Sequence, residues 1–181
     1  MLSRSADTPE LTIEQQVMGL ARAGRCDQAL QRIMPLFKRR VFALAYSFTR
    51  RRDEAEDLTQ EVFVKVWKAL PRFDERATLS TWIYAITRNT SLSALRGRRE
   101  TCELEGALAS QDNQGEEQVE RMLLQRLIDR LPDMQRQVIT LFYMQDHSHE
   151  TVSQMLDIPL GTVKTLLHRA RERLRVEAAH D

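Results

Sequence analysis

Residues 100–120 of this 181-residue chain hold seven acidic side chains and no Lys or Arg, and Gly106, Ser110, Gln111, Asn113, Gln114 and Gly115 leave no sustained apolar period among them. A stretch of that kind buries too little apolar surface to pack. It therefore constrains the fold more than any motif does: the chain must build a core on each side of it. The charge balance divides at the same place. Residues 1–99 hold 18 basic against 11 acidic residues, a net of +7, and residues 100–181 hold 9 against 15, a net of −6. The overall +1 is a cancellation, and the asymmetry is the informative quantity.

Both blocks read as helices. Apolar residues recur at three- and four-residue steps over 14–23, 29–46, 53–70 and 79–95, and again over 119–131, 132–144, 148–156 and 160–176. Pro35 marks a start or kink, and Pro71 ends the third segment. No segment alternates as a strand does. The expected class is all-α: two small helical domains, 11–99 and 119–177, joined by a flexible acidic linker over 100–118. Blocks of roughly 80 and 60 residues lie near the lower limit for independent stability. Their cores must be economical, or a partner must help.

Several function classes find no support. No apolar run approaches the ~20 residues that span a bilayer, and Met1 to Glu10 lacks the basic start and apolar stretch of a signal peptide. Cys26 and Cys102 are far apart with no metal-ligand spacing, which fits a reducing cytoplasm. There is no phosphate-cradling glycine loop, no Gly-x-Ser-x-Gly elbow and no Cys-x-x-Cys. His149-Glu150 would open a zinc-protease motif only if residue 153 were His, and it is Ser153. His147 and His149, two apart, point to different sides of a helix. Neither a catalytic residue nor a cofactor nor a metal is expected.

Three segments carry candidate binding chemistry. At 100° per residue, Leu58, Val62, Phe63, Val66, Trp67, Ala69 and Leu70 sweep one broad arc, while Asp57, Gln60, Glu61 and Lys68 share the other with Val64. On pattern alone that polar stripe is solvated surface. The loop Arg72–Ala77 then leads into Thr81-Trp82-Ile83-Tyr84, Arg88-Asn89, Arg96, Arg98 and Arg99. Aromatics interleaved with Arg and Asn suit a single-stranded nucleic acid, whose bases stack and whose phosphates attract cations. Trp82, Ile83 and Ile86 suit a core equally well, and the residues leave both readings of Trp82 open. In the last segment Val163, Leu167, Ala170 and Leu174 form an apolar stripe, opposite Thr165 and His168 and flanked by Lys164, Arg169 and Arg175. A shorter helix carrying Val152 and Leu156 precedes it across Asp157-Ile158-Pro159, and residues 159–175 carry a net +4. That is the layout of a DNA-binding helix-turn-helix, with a basic helix packed on the bundle as the plainer alternative.

The runs 53–63, 69–74 and 81–84, then Leu131-Pro132 through Gln137-Val138, Gly161-Thr162-Val163-Lys164 and 168–174, stand in order in both halves. At these residues the chain resembles the extracytoplasmic-function (group 4) sigma factors of bacterial RNA polymerase, in the sigma-70 family, over residues 15–99 and 119–175. The resemblance implies a region-2 domain that binds core polymerase and recognises and melts the −10 element, an acidic linker directed toward the RNA exit path, and a region-4 helix-turn-helix that reads the −35 element. It implies that Asp57, Gln60 and Glu61 grip the clamp helices of the β′ subunit, and that Lys68, Phe73, Arg76, Trp82, Arg88 and Asn89 serve the −10 element. Thr162, Lys164, Thr165, His168 and Arg169 fall at the −35 positions. The implied partners are core RNA polymerase through β′ and β, promoter DNA and an anti-sigma factor, commonly membrane-tethered. The implied function is an alternative sigma factor for a stress- or signal-responsive regulon.

Three departures stand out: Glu75 where many relatives have Gly, Leu166 at a position often basic, and His147-Ser148-His149 in place of a Leu-Ser-Tyr-like start. Two other classes compete. A stand-alone helix-turn-helix regulator would not need the 57–61 stripe, and a decoy that binds only a partner protein would be expected to lose the basic face of 159–175.

Overall fold

The computed structural model describes residues 12–101, 124–144 and 146–179, and every regular element among them is helical. In chain order these are α1 (Ile13–Arg22), α2 (Cys26–Thr49), α3 (Arg52–Ala69), a 3-10 turn (Leu70–Arg72) and α4 (Leu79–Thr101). There follow α5, described over residues 124–129, α6 (Asp133–Ile139) running on into a π-helical turn (Thr140–Met144), α7 (His149–Leu156) and α8 (Leu160–Ala178). The expected linker lies outside the described residues from 102 onward, as does Cys102. Helix α4 itself carries on through Thr101, beyond the boundary expected at residue 99.

Local chemistry sets the ends. Thr12 and Gln15 form a capping box at the start of α1. Gly24, at φ +72°, lets the chain reverse into α2. Helix α2 begins at Cys26, three residues before the periodic pattern, and runs through Pro35, so no helix starts there. Proline removes one helical hydrogen bond, but Ile33, Phe37, Val41, Leu44 and Phe48 pin both sides of it to the core. Packing keeps the helix continuous where the sequence alone allowed a new start.

The four N-terminal helices surround Ile33, Val41, Leu44, Val62, Val66, Leu70 and Ile83, all fully buried. The C-terminal helices surround Val138, Leu141, Val152, Val163 and Ala170 in the same way. The two cores join into one apolar cluster. At the joint Arg136 of α6 is 1% exposed. Its Nε donates to the Ser47 carbonyl of α2 at 2.8 Å, Nη1 to the Leu131 and Asp129 carbonyls at 2.8 and 3.2 Å, and Nη2 to the Asp133 carboxylate at 2.5 Å. Tyr46 of α2 donates to Asp129 at 3.2 Å. His147, ahead of α7, meets Tyr84 of α4 edge-on with ring centroids 5.2 Å apart. Burial pushes the Tyr84 phenol up to about 12, partly offset by the Arg40 guanidinium. Each half is small, and each serves as the other's packing partner.

Candidate nucleic-acid and protein interfaces

Three exposed surfaces emerge where the sequence pattern draws them. On α3 the polar stripe is solvent-facing: Asp57, Gln60 and Glu61 are all exposed, and Glu61 is bridged to Lys65 one turn on at 2.7 Å. The apolar arc behind it is less complete than the helical wheel suggests. Trp67 is 40% exposed, its indole N–H bonded to Asp27 of α2 at 2.9 Å, while Val64, which the wheel places among the polar residues, is 48% exposed. Together with Leu30, Met34 and Phe63 they line a groove of about 470 Å³ beside Gln60. The stripe thus sits next to an open apolar trough. Sequence periodicity assigns Trp67 to the core, because a wheel cannot see how far a neighbouring helix covers a side chain.

The second surface is the loop between the 3-10 turn and α4. Phe73 is buried, tilted onto Trp82 with centroids 4.7 Å apart, while Trp82 stays half-buried. Both readings of Trp82 therefore apply, one face of the ring in contact and part of it open. Phe73 supports the loop from beneath and in this arrangement offers no free face to a base. Arg76 is exposed and paired with Asp74 at 2.9 Å, and Lys68 is exposed at the end of α3. Further along α4, half-buried Arg88 donates to the Oδ1 of exposed Asn89 at 3.2 Å, and Lys65 reaches across to Thr90 at 3.2 Å. Lys68, Arg76, Trp82, Arg88 and Asn89 thus all keep polar or ring surface in solvent.

Two contacts at this loop have no counterpart in the sequence pattern. The Glu14 carboxylate of α1 accepts the Leu79 backbone N–H at 2.5 Å, which satisfies an orphan donor at the start of α4. Arg22 of α1 is ion-paired with Glu75. These partners are 65 and 53 residues apart, and no local spacing signals them.

The third surface is the helix pair α7–α8. Ser148 caps α7 by accepting the Thr151 N–H at 3.1 Å. Asp157, at φ +52°, ends it, and Ser153 both donates its hydroxyl to the Ile158 carbonyl at 2.6 Å and accepts the Ile158 N–H on its own carbonyl at 3.1 Å. Pro159 then opens α8. This turn fixes α8 with Val163, Leu167 and Ala170 buried and with Thr162, Lys164, Thr165, His168 and Arg169 all exposed. Thr165 folds its hydroxyl back to the Gly161 carbonyl at 2.9 Å. Leu166 is half-buried against the core, as its angle on the helix predicts. Arg171 turns away from this face, bonding the Tyr143 hydroxyl at 2.5 Å with its guanidinium 5.4 Å from that ring. The two histidines diverge, though His147 lies ahead of α7 and the helical spacing argument does not apply to it: His147 contacts Tyr84, and the His149 ring lies 4.6 Å from the Phe142 ring. No group of His, Cys, Asp or Glu among the described residues could hold a metal ion, and no helix among them is long and apolar enough to cross a membrane.

A helical bundle carrying a polar stripe and an aromatic-basic loop, followed by a helix-turn-helix with a basic outer face, defines a two-part transcription-initiation factor. Comparison with known proteins agrees. Residues 36–101 match the family Sigma-70 region 2, and residues 121–174 match Sigma-70, region 4. The ECF RNA polymerase sigma factor SigW of Bacillus subtilis is 31% identical over 159 residues, 79% of this chain and 85% of SigW. The RNA polymerase sigma-H factor of Pseudomonas aeruginosa is 31% identical over 182 residues, 90% of this chain and 93% of that protein. Among solved structures, the sigma factor RpoE of Bartonella quintana, crystallised with the anti-sigma factor NepR, superposes with a TM-score of 0.70 at 26% identity, covering 83% of this chain and 97% of RpoE. The chain belongs to the extracytoplasmic-function group of the sigma-70 family.

Proposed function

We propose that this chain acts as an alternative sigma factor whose three exposed surfaces divide the work of promoter selection. In this reading Asp57, Gln60 and Glu61 bind the β′ clamp helices of core polymerase, with the trough at Val64 and Trp67 adding apolar contact. Lys68, Arg76, Trp82, Arg88 and Asn89 engage the nontemplate strand of the −10 element. Phe73 acts from beneath by holding Trp82. Unstacking a base costs a few kcal/mol, and stacking on a half-open indole with hydrogen bonds from Arg and Asn offsets it. Thr162, Lys164, Thr165, His168 and Arg169 enter the major groove of the −35 element and contact phosphates and base edges. The chain contributes binding and orientation, with the bond-forming chemistry left to the polymerase. Its partners are then β′ and β of the core enzyme, promoter DNA and an anti-sigma factor, in the cytoplasm or at the inner face of the membrane where that factor is tethered.

The observation that carries this reading is the coexistence on one chain of the α3 stripe, the α4 loop and the α8 face, all exposed together. A stand-alone regulator needs only the third. The test is reconstitution with core polymerase on a library of duplex promoters. Transcription from a subset with common −10 and −35 sequences is expected, and failure to bind core ends the sigma reading. Charge reversal at Asp57 and Glu61 should weaken core binding about tenfold or more, since like-charge contacts across an interface cost on the order of several kcal/mol. The circular-dichroism spectrum should stay unchanged, and unaltered affinity would remove the stripe from the interface.

A further inference from the structure

Helix α1 lies outside residues 36–101 that match Sigma-70 region 2, yet it touches the loop before α4 at two places. Eight residues, about 12 Å of helix, separate Glu14 from Arg22. Glu14 accepts the backbone N–H of Leu79 at 2.5 Å, where the loop enters α4, and Arg22 holds the carboxylate of Glu75 at the loop's apex. Glu75 has φ +61°, a left-handed backbone conformation that side-chain-bearing residues adopt rarely. The loop is braced from its other sides too. Phe73 packs under Trp82 at 4.7 Å, and Asp74 is paired with Arg76 at 2.9 Å. The Thr78 hydroxyl accepts the Thr81 N–H at 3.2 Å. Helix α1 is itself held by the Thr12–Gln15 capping box and by buried Val17, Met18 and Ala21.

We propose that Arg22 and Glu14 are positioning residues for the −10 site: α1 clasps the loop at apex and exit, and so sets which −10 sequence the loop accepts. The inference rests on the sigma-factor reading and adds to it an element that the family match does not contain. The physical reason is preorganisation. The Arg22–Glu75 pair is exposed on both sides, with side chains 71% and 46% open, and such pairs add little to stability. Its consequence is where it puts the backbone. A loop that must order only when the base arrives loses affinity for that base, whereas one already fixed in place does not. Glu75 at φ +61° has its partner on another helix, so the pair favours the loop conformation in which the two side chains meet.

The test uses the full chain with core polymerase and a duplex promoter library randomised across the −10 element. Arg22→Ala is expected to reduce initiation from the preferred −10 sequence about two- to fivefold, the range that an exposed ion pair supplies. It should also flatten the preference among −10 variants, with core affinity, −35 binding and the melting temperature unchanged. Glu75→Gly relieves the backbone conformation and removes the partner, so it should fold normally and flatten the preference in the same way. The Arg22→Glu, Glu75→Arg double variant should restore it. A merely structural role would move the melting temperature and leave the base preference alone. Wild-type preference and rate in both Arg22→Ala and Glu75→Gly would overturn the proposal. A wild-type chain that binds core yet shows no −10 preference would overturn instead the −10 assignment on which it rests.

Discussion

The helix-turn-helix of α7 and α8 and the loop before α4 both hold side chains toward solvent in a fixed array, but over very different sequence distances. In the first, the hydrogen bonds that cap α7 and shape its turn into α8 join residues three to five apart: Ser148 with Thr151, Ser153 with Ile158, Gly161 with Thr165. In the second, local bonds of Asp74 with Arg76 and of Thr78 with Thr81 are joined by braces from α1, 53 and 65 residues away. A site built from short-range contacts is written in the local pattern. A site built by tertiary contact shows its surface residues in the sequence and hides what holds them.

The strongest way to break this contrast is to cut the joint that makes the two halves one body. Arg136→Ala leaves the Ser47 and Leu131 carbonyls without the donors that reach them at 2.8 Å inside the interface. Each orphaned carbonyl costs about 1–3 kcal/mol, so the variant should lose at least about 2 kcal/mol. Urea unfolding checks this, and the shape of the curve sharpens it. If the C-terminal half depends on the joint as the shared core implies, helical signal and Trp fluorescence from the N-terminal half should lose their common midpoint. A loss under about 1 kcal/mol, with one midpoint kept, would mean that the two halves do not lean on Arg136.

A smaller and purely local effect is expected on α8. Lys164 is exposed, on the outer face of the helix whose inner face holds Val163 and Leu167. Lys164→Ala should leave stability within about 0.5 kcal/mol and weaken binding to a −35 duplex. If Lys164 contacts phosphate, the slope of log affinity against log salt should flatten by about 0.9, the equivalent of one neutralised phosphate. Titration at several salt concentrations reads the slope directly. An unchanged slope with weakened binding would make Lys164 a base contact and shift the phosphate role to Arg169.

What the sequence made legible follows the same division. The all-α class, the helix-turn-helix turn at Asp157-Ile158-Pro159 and the half-buried position of Leu166 all rest on short-range periodicity, and the structure has them. Pro35 misleads as a helix start because a proline's local cost is outweighed by five apolar side chains that hold α2 to the core. Trp67 misleads because an apolar residue at a buried angle is buried only if a neighbour covers it. Phe73 shows the limit most plainly. Its place beside basic and aromatic residues suits a base-stacking platform, yet only the tertiary packing shows its ring turned inward against Trp82. The clasp from Glu14 and Arg22 had no sequence signal at all, since nothing in the spacing of two charged residues on α1 says which loop they face.

His147 gives the finest probe of the joint. Burial lowers its imidazole below the ordinary value of 6.5, the Arg40 guanidinium of α2 acts in the same direction, and the adjacent Asp146 carboxylate acts against both. From α4 the facing group is the Tyr84 ring, whose phenol, pushed up to about 12, stays neutral. A proton therefore binds the unfolded chain more readily than the folded one. By linkage, His147 contributes its full stability above pH 6.5 and loses it as pH falls through that value toward its lower folded-state pKa. Wild-type protein should be less stable at about pH 5.5 than at about pH 7.5, and His147→Gln, which keeps a polar side chain without the titration, should show a shallower fall. Urea midpoints at the two pH values make the measurement. Parallel falls in both proteins would show that acid acts on the fold elsewhere and leaves the contact between His147 and Tyr84 intact.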